Sequence, residues 1–369
     1  MSATVELEPG IADGLRHAWG IGIHANCTSL GHGLINRTLL VADGDRRCVL
    51  QRINTNVFPD PALLMRNYRA VTAHLARQHA GGRYAYSTLE LVPTSNGDAA
   101  AVLPDGSWWR LYNYVADTCT FNTADHPATA LEAGRGFGAF AAALSGLDAS
   151  GIGEVIPHFH DPERRFAAFR KALADDRMGR AADAAQTCAA ALAYADVLPH
   201  WRSLLARGLP RRITHNDCKL NNLLFDAVGR AICVIDLDTV MPGSVLFDFG
   251  DMCRTMLSPV PEDSTDLARV GVRHDYFAAL ARGYVEGSGD MLTPLERDNL
   301  VFGARLIVGV IGLRFLTDYL DGDRYFRTTH PGHNLERARN QLALYAALTA
   351  QQDALQALVP ASPCADERA

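Results

Sequence analysis

The sequence predicts an α+β protein with two lobes, a small β-rich lobe followed by a larger, mostly helical one. The first third of the chain alternates short apolar runs with turn residues, as antiparallel strands do. The rest carries apolar residues at helical spacing, interrupted by two short apolar strands. With 369 residues, the chain is also long enough for about two lobes or domains.

The small lobe is predicted to contain several strands and one inserted helix. Turn sequences such as ADGD and PDGS separate its apolar runs. A helix is expected over 61–78, where apolar residues recur at helical spacing and prolines mark the start. Strands are expected around 37–41, 48–53, 89–92, 100–103 and 108–115.

The large lobe is predicted to begin after a hinge near 112–116, which divides the chain into lobes at 1–115 and 116–369. Short apolar strands are expected beside the polar stretch 213–226 and within 231–240. Helices are expected over 130–147, 163–176, 180–207, 273–287, 294–320 and 334–357.

The composition favours a cytoplasmic protein without a nucleic-acid, membrane or protein partner. Hydrophobic residues make up 48% of the chain and charged residues 21%, which permits a large core. The net charge of −6 argues against nucleic acid or an anionic membrane surface as a partner. The eight cysteines form no C-x-x-C pair, the N-terminus lacks a signal-peptide pattern, and no run approaches the ~20 apolar residues of a membrane span.

The stretch ITHNDCKLNNLLFD (213–226) concentrates polar residues between two apolar runs. Asp217 and Asn222 lie in it, and Asp236 follows at the end of the next apolar strand. Phosphoryl transfer needs a carboxylate that accepts the proton of the attacking hydroxyl and hard oxygen ligands that hold Mg²⁺ on nucleotide phosphates. The three residues therefore predict a nucleotide- and Mg²⁺-dependent active site.

Other kinds of site fit this stretch less well. A plain turn would not explain Asp236 at the matching distance downstream. Zinc binding by His215, Asp217 and Cys218 is disfavoured because adjacent residues of an extended segment point in opposite directions. The chain also contains neither the G-x-S-x-G motif of serine hydrolases nor the P-loop motif G-x-x-x-x-G-K-[ST].

The pattern H-x-D-x-x-x-x-N followed by I-D resembles that of protein-kinase-like small-molecule kinases, which include aminoglycoside phosphotransferases, choline kinases and homoserine kinases. The resemblance spans residues 25–345 or so. The segments CVIDLDTVMPG, LRFLTDYLDGDRYF and GHNLERARNQL look closer to N-acetylhexosamine 1-kinases, which phosphorylate the anomeric hydroxyl of N-acetylglucosamine or N-acetylgalactosamine. This resemblance implies a bilobal protein-kinase-like fold, ATP and Mg²⁺ as cofactors, and a small-molecule sugar as acceptor.

The resemblance also implies roles for single residues. Asp217 takes the position of the catalytic base, and Asn222 and Asp236 take those of the metal ligands. Lys219, one of only two lysines in the chain, matches a lysine that contacts the transferred phosphate. His215 is expected to hold the loop by hydrogen bonds rather than to transfer protons.

Three further aspartates follow this loop. Asp238 fits either a second metal ligand or a hydrogen-bond acceptor behind the metal site, and the sequence leaves this open. Asp248 and Asp251, in FDFGDM, are expected to brace the catalytic loop rather than to bind metal.

The nucleotide is expected to contact the small lobe and the hinge. The loop GHGLINRT (31–38) would cover the phosphates, with Gly33 and Asn36 as contacts. The hinge would bind adenine through the backbone from Asn113 to Val115.

A cation for the phosphates is harder to place because the small lobe contains no lysine. Arg52 is the candidate and Gln51 the alternative, since neighbours in a strand face opposite sides. The following helix offers Asn67 but no glutamate to pair with a cation, so the Lys–Glu pair of protein kinases is absent.

The sugar is predicted to bind near the end of the helix in LRFLTDYLDGDRYF. Arg314 and Tyr319 are the candidates, because their spacing is expected to keep both on roughly one side of the helix. Two alternatives stay open: a kinase of the same fold acting on another sugar, an aminoglycoside, choline or homoserine, and a non-catalytic nucleotide-binding protein.

Overall fold

The computed structural model describes residues 5–30 and 35–361. A small lobe built on a five-stranded antiparallel sheet precedes a large lobe of helices with two short antiparallel strand pairs. The predicted α+β, two-lobed class is therefore confirmed. The lobe boundary at 115/116 stays a prediction.

The small lobe contains one five-stranded sheet with strand order β1-β2-β3-β5-β4, with one helix before the sheet in sequence and a second inserted between its third and fourth strands. The helix α2 begins with Pro61, and its N-cap Asp60 accepts a hydrogen bond from the Leu63 amide. The elements in chain order are α1 (Pro9–Trp19), β1 (Asn26–Ser29), β2 (Arg37–Asp43), β3 (Arg46–Arg52), α2 (Pro61–Ala80), β4 (Ala101–Val102) and β5 (Trp108–Asn113).

The two faces of this sheet differ in chemistry. Leu39, Leu50 and Leu111 pack with Leu15 and Trp19 of α1 in one apolar cluster on the outer face. Successive side chains of a strand alternate between faces, so Gln51 lies on the opposite, inner face with its cross-strand partner Arg110. The inner face of the small lobe is therefore polar where it meets the large lobe.

Three expectations for the small lobe need correction. The elements α1 and β1 were not predicted, and residues 89–92 form no strand but only an isolated bridge between Leu91 and Tyr112. Gly14 weakens the helical signal of α1. It lies where α1 approaches the sheet, since a Cβ there would lie 2.7 Å from Leu103 Cδ2.

The large lobe is mostly helical, as predicted, with strands β6 and β9 paired and β7 and β8 paired. The expected helix over 180–207 is two helices joined by a 3₁₀ turn, and those over 294–320 and 334–357 are also each divided in two. The elements are α3 (Pro127–Leu144), α4 (Pro162–Asp175), α5 (Ala185–Leu192), α6 (Leu198–Ala206), β6 (Arg212–Thr214), β7 (Leu223–Phe225), β8 (Ala231–Val234), β9 (Met241–Gly243), α7 (Val245–Met256), α8 (His274–Ser288), α9 (Pro294–Arg297), α10 (Leu300–Asp321), α11 (His333–Ala350) and α12 (Gln352–Gln356).

The helix α10 is the centre of the large-lobe core. It packs against α4, α7 and α11, and most of its residues are buried. By length and composition it is apolar enough to cross a membrane, so the expectation that no stretch approaches this length was wrong. Its burial inside the protein is that of a core helix.

Candidate active site

The loop between β6 and β7 is held in place by a buried carboxylate and a histidine. Asp248, in α7, accepts hydrogen bonds from the backbone amides of His215 (3.0 Å) and Asn216 (2.7 Å). His215 donates from Nε2 to the Ile235 carbonyl at 2.9 Å and accepts from the Asp217 amide at 3.3 Å. The imidazole also packs edge-on against Phe137 of α3, with ring centroids 5.6 Å apart. His215 and Asp248 therefore brace the loop, as the sequence predicts.

Asn216, to which the sequence assigned no role, makes the turn of the loop. Its φ of 62° is in the left-handed region that asparagine tolerates better than most residues. Its side-chain amide donates to the carbonyls of Thr239 (3.0 Å) and Met241 (3.2 Å). A Cβ at Gly243 would lie 2.6 Å from the Asn216 oxygen, so only glycine lets β9 approach this closely.

Asp217, Lys219 and Asn222 form one cluster at the surface of the loop. The Asp217 Oδ2 atom lies 2.9 Å from Lys219 Nζ and accepts a hydrogen bond from Asn222 Nδ2 at 3.0 Å. Asn222 Nδ2 also donates to the Asp217 carbonyl at 2.8 Å, which directs its Oδ1 away from Asp217. The second carboxylate oxygen of Asp217 accepts from no described group, so it is free to accept from a hydroxyl group.

The charges of this cluster are coupled. Burial opposes ionisation of Asp217, but the Lys219 ammonium outweighs it and lowers the pKa of the carboxyl below its usual value. Burial likewise opposes the charge of Lys219, while Asp217 and Asp236 raise its pKa above the ordinary value. Both groups are therefore charged at neutral pH.

Asp236 is brought next to this cluster by the pairing of β7 with β8. The Ile235 amide donates to the Asn222 carbonyl at 2.9 Å, and Asp236 follows with a left-handed φ of 57°. Burial, together with the nearby carboxylates of Asp238 and Asp217, raises the pKa of Asp236 to about 7. This corner of the site is therefore short of positive charge.

The residues here fit a magnesium ion. The free Oδ1 of Asn222 and the carboxylate of Asp236 are the hard oxygen ligands that Mg²⁺ prefers, and Mg²⁺ usually keeps several waters. Within 5–30 and 35–361, no group of three or more His, Cys, Asp or Glu residues is arranged to hold a metal. Asn222 and Asp236 stay predicted ligands.

The predicted phosphate contacts of the small lobe are not all brought to this cluster. Gly33 lies outside the described residues. Asn36 reaches across to the large lobe and donates to Asp238 at 2.6 Å. Arg52 lies on the outer face of the sheet, where its nearest charged partner is Asp105 at 3.7 Å.

The cation on the inner face is Arg110, which the sequence analysis missed. It is 1% exposed, is paired with Asp238 at 2.5 Å, and donates twice to Gln51 Oε1. Its strand, WWRLYN, is otherwise apolar or aromatic around it. An arginine at an inward-facing position of an apolar strand is the signal that would have identified it.

The predicted hinge residues Asn113 and Val115 differ in whether their backbone N–H groups are already hydrogen-bonded. The Asn113 amide donates to the Glu90 carbonyl at 3.0 Å, and the Asn113 Oδ1 atom accepts from the Glu90 amide at 2.7 Å. The Val115 amide has no acceptor among the described groups, while its carbonyl accepts from Thr118. Of the two predicted adenine contacts, Val115 has the available N–H group.

Arg314 lies near the loop between β6 and β7, within an aromatic cluster. Its guanidinium carbon is 4.7 Å from the ring centroid of Phe159 and 5.4 Å from that of Tyr325, whose hydroxyl is 3.3 Å from Nη2. The neighbouring His160 donates from Nε2 to the Asn216 carbonyl at 2.7 Å. The aromatic cluster thus adjoins the residue before Asp217.

Tyr319 does not share this surface, so that expectation was wrong. Its ring packs against the Arg180 guanidinium at 4.9 Å, on another side of α10. Five residues rotate the side-chain direction by about 140° from one side of a helix to another. The Tyr319 side chain therefore lies on a different side of α10 from Arg314.

Asp318 positions the part of the cluster that follows α10. Its Oδ1 atom accepts from the amides of Arg324 and Tyr325, and its Oδ2 atom from that of Phe326. Asn334 of α11 donates to Asp318 Oδ2 as well. The sequence pointed to this segment, but Tyr325 was missed because its position depends on these tertiary bonds.

The chain is similar to known phosphotransferases along most of its length. The fold is that of a small-molecule phosphotransferase. Residues 26–287 match the model of the phosphotransferase enzyme family, APH, and the chain belongs to that family.

Solved structures of the same fold cover nearly the whole chain. An aminoglycoside phosphotransferase from Alicyclobacillus acidocaldarius is 14% identical with a TM-score of 0.59, covering 97% of this chain and 96% of that one. A microcompartment-associated aminopropanol kinase is 16% identical with a TM-score of 0.58, covering 95% and 99%. A spectinomycin phosphotransferase solved with ADP and spectinomycin is 10% identical with a TM-score of 0.56, covering 92% and 97%. These identities are low, so the likeness concerns the fold alone.

Proposed function

We propose that this protein is an ATP- and Mg²⁺-dependent kinase that phosphorylates the anomeric hydroxyl of an N-acetylhexosamine. The observation that carries the proposal is the Asp217–Lys219–Asn222 cluster with Asp236 beside it and the aromatic cluster around Arg314 adjoining it. The ADP-bound spectinomycin phosphotransferase supports nucleotide use by this fold. The sugar acceptor rests on the resemblance of the downstream segments to N-acetylhexosamine 1-kinases, and the cytoplasmic location stays part of the proposal.

Each residue of the cluster has a separate task in this proposal. Asp217 accepts the hydrogen of the sugar hydroxyl through its free oxygen and orients the attacking oxygen toward the phosphate. Lys219 places a positive charge where negative charge develops on the transferred group. Mg²⁺ held by Asn222 and Asp236 would neutralise charge on the nucleotide phosphates.

The acceptor side of the cleft is positively charged, which favours a neutral sugar over a cationic acceptor. Arg165 donates from Nε to the Phe159 carbonyl at 3.0 Å, and Arg314 contacts the Phe159 ring. Burial and the neighbouring Arg314 charge lower the pKa of Arg165 to about 10. Neither arginine forms a salt bridge within the described part of the chain, so aminoglycosides, choline and amino alcohols would be repelled.

Aromatic rings and arginines together suit a sugar ring. Phe159, Tyr325 and Phe326 offer flat apolar surface, and the Arg314 guanidinium offers hydrogen-bond donors for hydroxyl or carbonyl oxygens. A non-catalytic nucleotide-binding role is disfavoured because the free oxygen of Asp217 would then have no task.

The proposal is tested by incubating the protein with ATP, Mg²⁺ and a panel of acceptors and measuring ADP release. We expect turnover with N-acetylglucosamine or N-acetylgalactosamine at a kcat/KM at least about 100-fold above that for choline, aminopropanol or an aminoglycoside. Faster turnover of a cationic acceptor would contradict the choice of substrate. Nucleotide binding without turnover of any acceptor would favour the non-catalytic alternative.

Arg314→Gln tests the acceptor side directly. Losing the guanidinium removes donors to the sugar but no contact with the nucleotide, so we expect the sugar KM to rise about tenfold or more. The KM for ATP should change by less than about threefold. Arg324→Gln is the matched control, because Arg324 is in the same segment with an exposed side chain. Equal effects of the two substitutions would remove Arg314 from the sugar site.

A further inference from the structure

A buried ion pair joins the two lobes behind the proposed magnesium site. Arg110, on β5 of the small lobe, and Asp238, in the turn after β8, are 1% and 2% exposed, and their Nη1 and Oδ1 atoms lie 2.5 Å apart. Gln51 Oε1 accepts from the Nε and Nη2 atoms of the same guanidinium, and the Tyr68 ring lies 4.3 Å from its central carbon. The guanidinium is therefore held on three sides.

The other oxygen of Asp238 is bound by the segment that leads out of the glycine-bearing loop. Asn36 Nδ2 donates to Asp238 Oδ2 at 2.6 Å, while Asn36 Oδ1 accepts from the Asn54 amide at 2.9 Å. Asn36 directly precedes β2, and Asp238 comes two residues after Asp236. Asp238 thus connects the proposed phosphate-covering loop with the turn that carries a proposed metal ligand.

Burying such a pair is costly, which suggests a positional role. Two charges lose their hydration when they are buried, and apolar residues of similar size often stabilise a protein as well or better. Ion pairs of this kind can instead serve to fix a single geometry. Both Asp238 oxygens are occupied by small-lobe residues, which leaves the carboxylate poorly available to a metal.

We propose that Arg110, Asp238 and Asn36 form a positioning device that sets the distance between Asn36, at the described end of the proposed phosphate-covering segment, and Asp236. In this device Asp238 is a positioning residue rather than a second magnesium ligand. The pair also replaces the Lys–Glu pair of protein kinases, for which the small lobe has neither the lysine on β3 nor the glutamate on α2. The inference rests on the proposed use of a nucleotide, but not on the identity of the sugar.

The test is a double-mutant cycle of Arg110→Gln and Asp238→Asn, read out by calorimetric binding of ADP with Mg²⁺ and of adenosine. Each single variant should weaken ADP binding about tenfold or more while adenosine binding changes less than about threefold, because only the phosphates depend on the alignment. The double variant should lose about as much as one single variant, because it leaves no buried charge unpaired.

Two further variants keep the test interpretable. Arg135→Gln breaks an ion pair between α3 and α8 that involves none of Arg110, Asp238 and Asn36, and should leave ADP binding unchanged. Asn36→Ala removes one hydrogen bond without removing a charge, and should weaken ADP but not adenosine binding even where an Arg110 variant fails to fold.

Several results would overturn the inference. If the fold-losses of ADP affinity in the two single variants multiplied in the double variant, Arg110 and Asp238 would not act as a unit. If Asp238→Asn abolished the difference in ADP binding between Mg²⁺ and EDTA, Asp238 would be a metal ligand instead. If the Arg110 and Asp238 variants bound ADP as the wild type does but had a lower Tm, the pair would contribute to stability alone. A wild-type protein that binds ADP but phosphorylates no sugar would contradict the proposed function alone.

Discussion

Replacing Asp217 with asparagine should lower kcat by about 10²- to 10⁴-fold, the range typical of a lost general base. Asparagine has nearly the same shape, and its oxygen can still accept from Lys219 and Asn222 as the Oδ2 atom of Asp217 does. What is lost is the ability to accept the proton of the sugar hydroxyl. The loop should therefore stay folded while the chemical step slows.

Steady-state kinetics with ATP and sugar varied in turn would measure this effect. The KM for ATP should stay within about threefold of the wild-type value, because Asp217 is proposed to contact the acceptor and not the nucleotide. Asp175→Asn is a suitable control, since within the described ranges Asp175 forms ion pairs only with the exposed residues Lys171 and Arg177. A kcat for Asp217→Asn within about tenfold of wild type would exclude Asp217 as the base.

Replacing Asp236 with asparagine should be nearly as damaging, but through a different step. The carboxylate is expected to supply the only negative charge among the predicted magnesium ligands, so its loss should lower kcat by about 10²-fold or more. Because Asp236 lies near the carboxylates of Asp238 and Asp217, removing its charge should at the same time stabilise the metal-free protein. Activity and stability should therefore move in opposite directions.

Two measurements separate these effects for Asp236→Asn. Calorimetry should show that Mg²⁺ strengthens ADP binding to the wild-type protein but barely affects the variant. Thermal unfolding in EDTA should give a higher Tm for the variant than for the wild type. A variant that keeps the full Mg²⁺ effect on ADP binding would show that Asp236 is not a ligand.

The sequence predicts which side chains of the loop between β6 and β7 come together, because these residues are close in the chain. Asp217, Lys219 and Asn222 lie within six residues. Asp236 comes just after β8, which pairs with β7, the strand that follows Asn222. Residue type and spacing alone therefore bring these groups together. His215 and Asp248 follow from the same resemblance, and the structure places both as braces.

The parts that were missed depend on contacts between distant segments. Arg110 meets Asp238 only because β5 lies beside β3 and the two lobes close on each other. Tyr325 reaches Arg314 only because Asp318 fastens the chain after α10. Neither arrangement leaves a periodic signal in the sequence.

The alternation of side chains along β3 correctly limits which of two neighbouring residues faces the large lobe, but it does not identify the cation there. It required that only one of Gln51 and Arg52 face the large lobe, and the structure places Gln51 there. The cation comes from the neighbouring strand instead, which no rule about β3 alone could predict. The prediction that Arg314 and Tyr319 share a side of α10 was wrong in principle. A five-residue spacing turns the two side chains about 140° apart around a helix.

The position of the phosphate on the product tests the central proposal most directly. The protein would be incubated with ATP, Mg²⁺ and N-acetylglucosamine, and the product examined by ³¹P–¹H correlation NMR. We expect coupling of the phosphorus to the anomeric proton, together with loss of reducing-end reactivity. Coupling to the protons at C3, C4 or C6, or a product whose reducing end still reacts, would contradict an anomeric kinase.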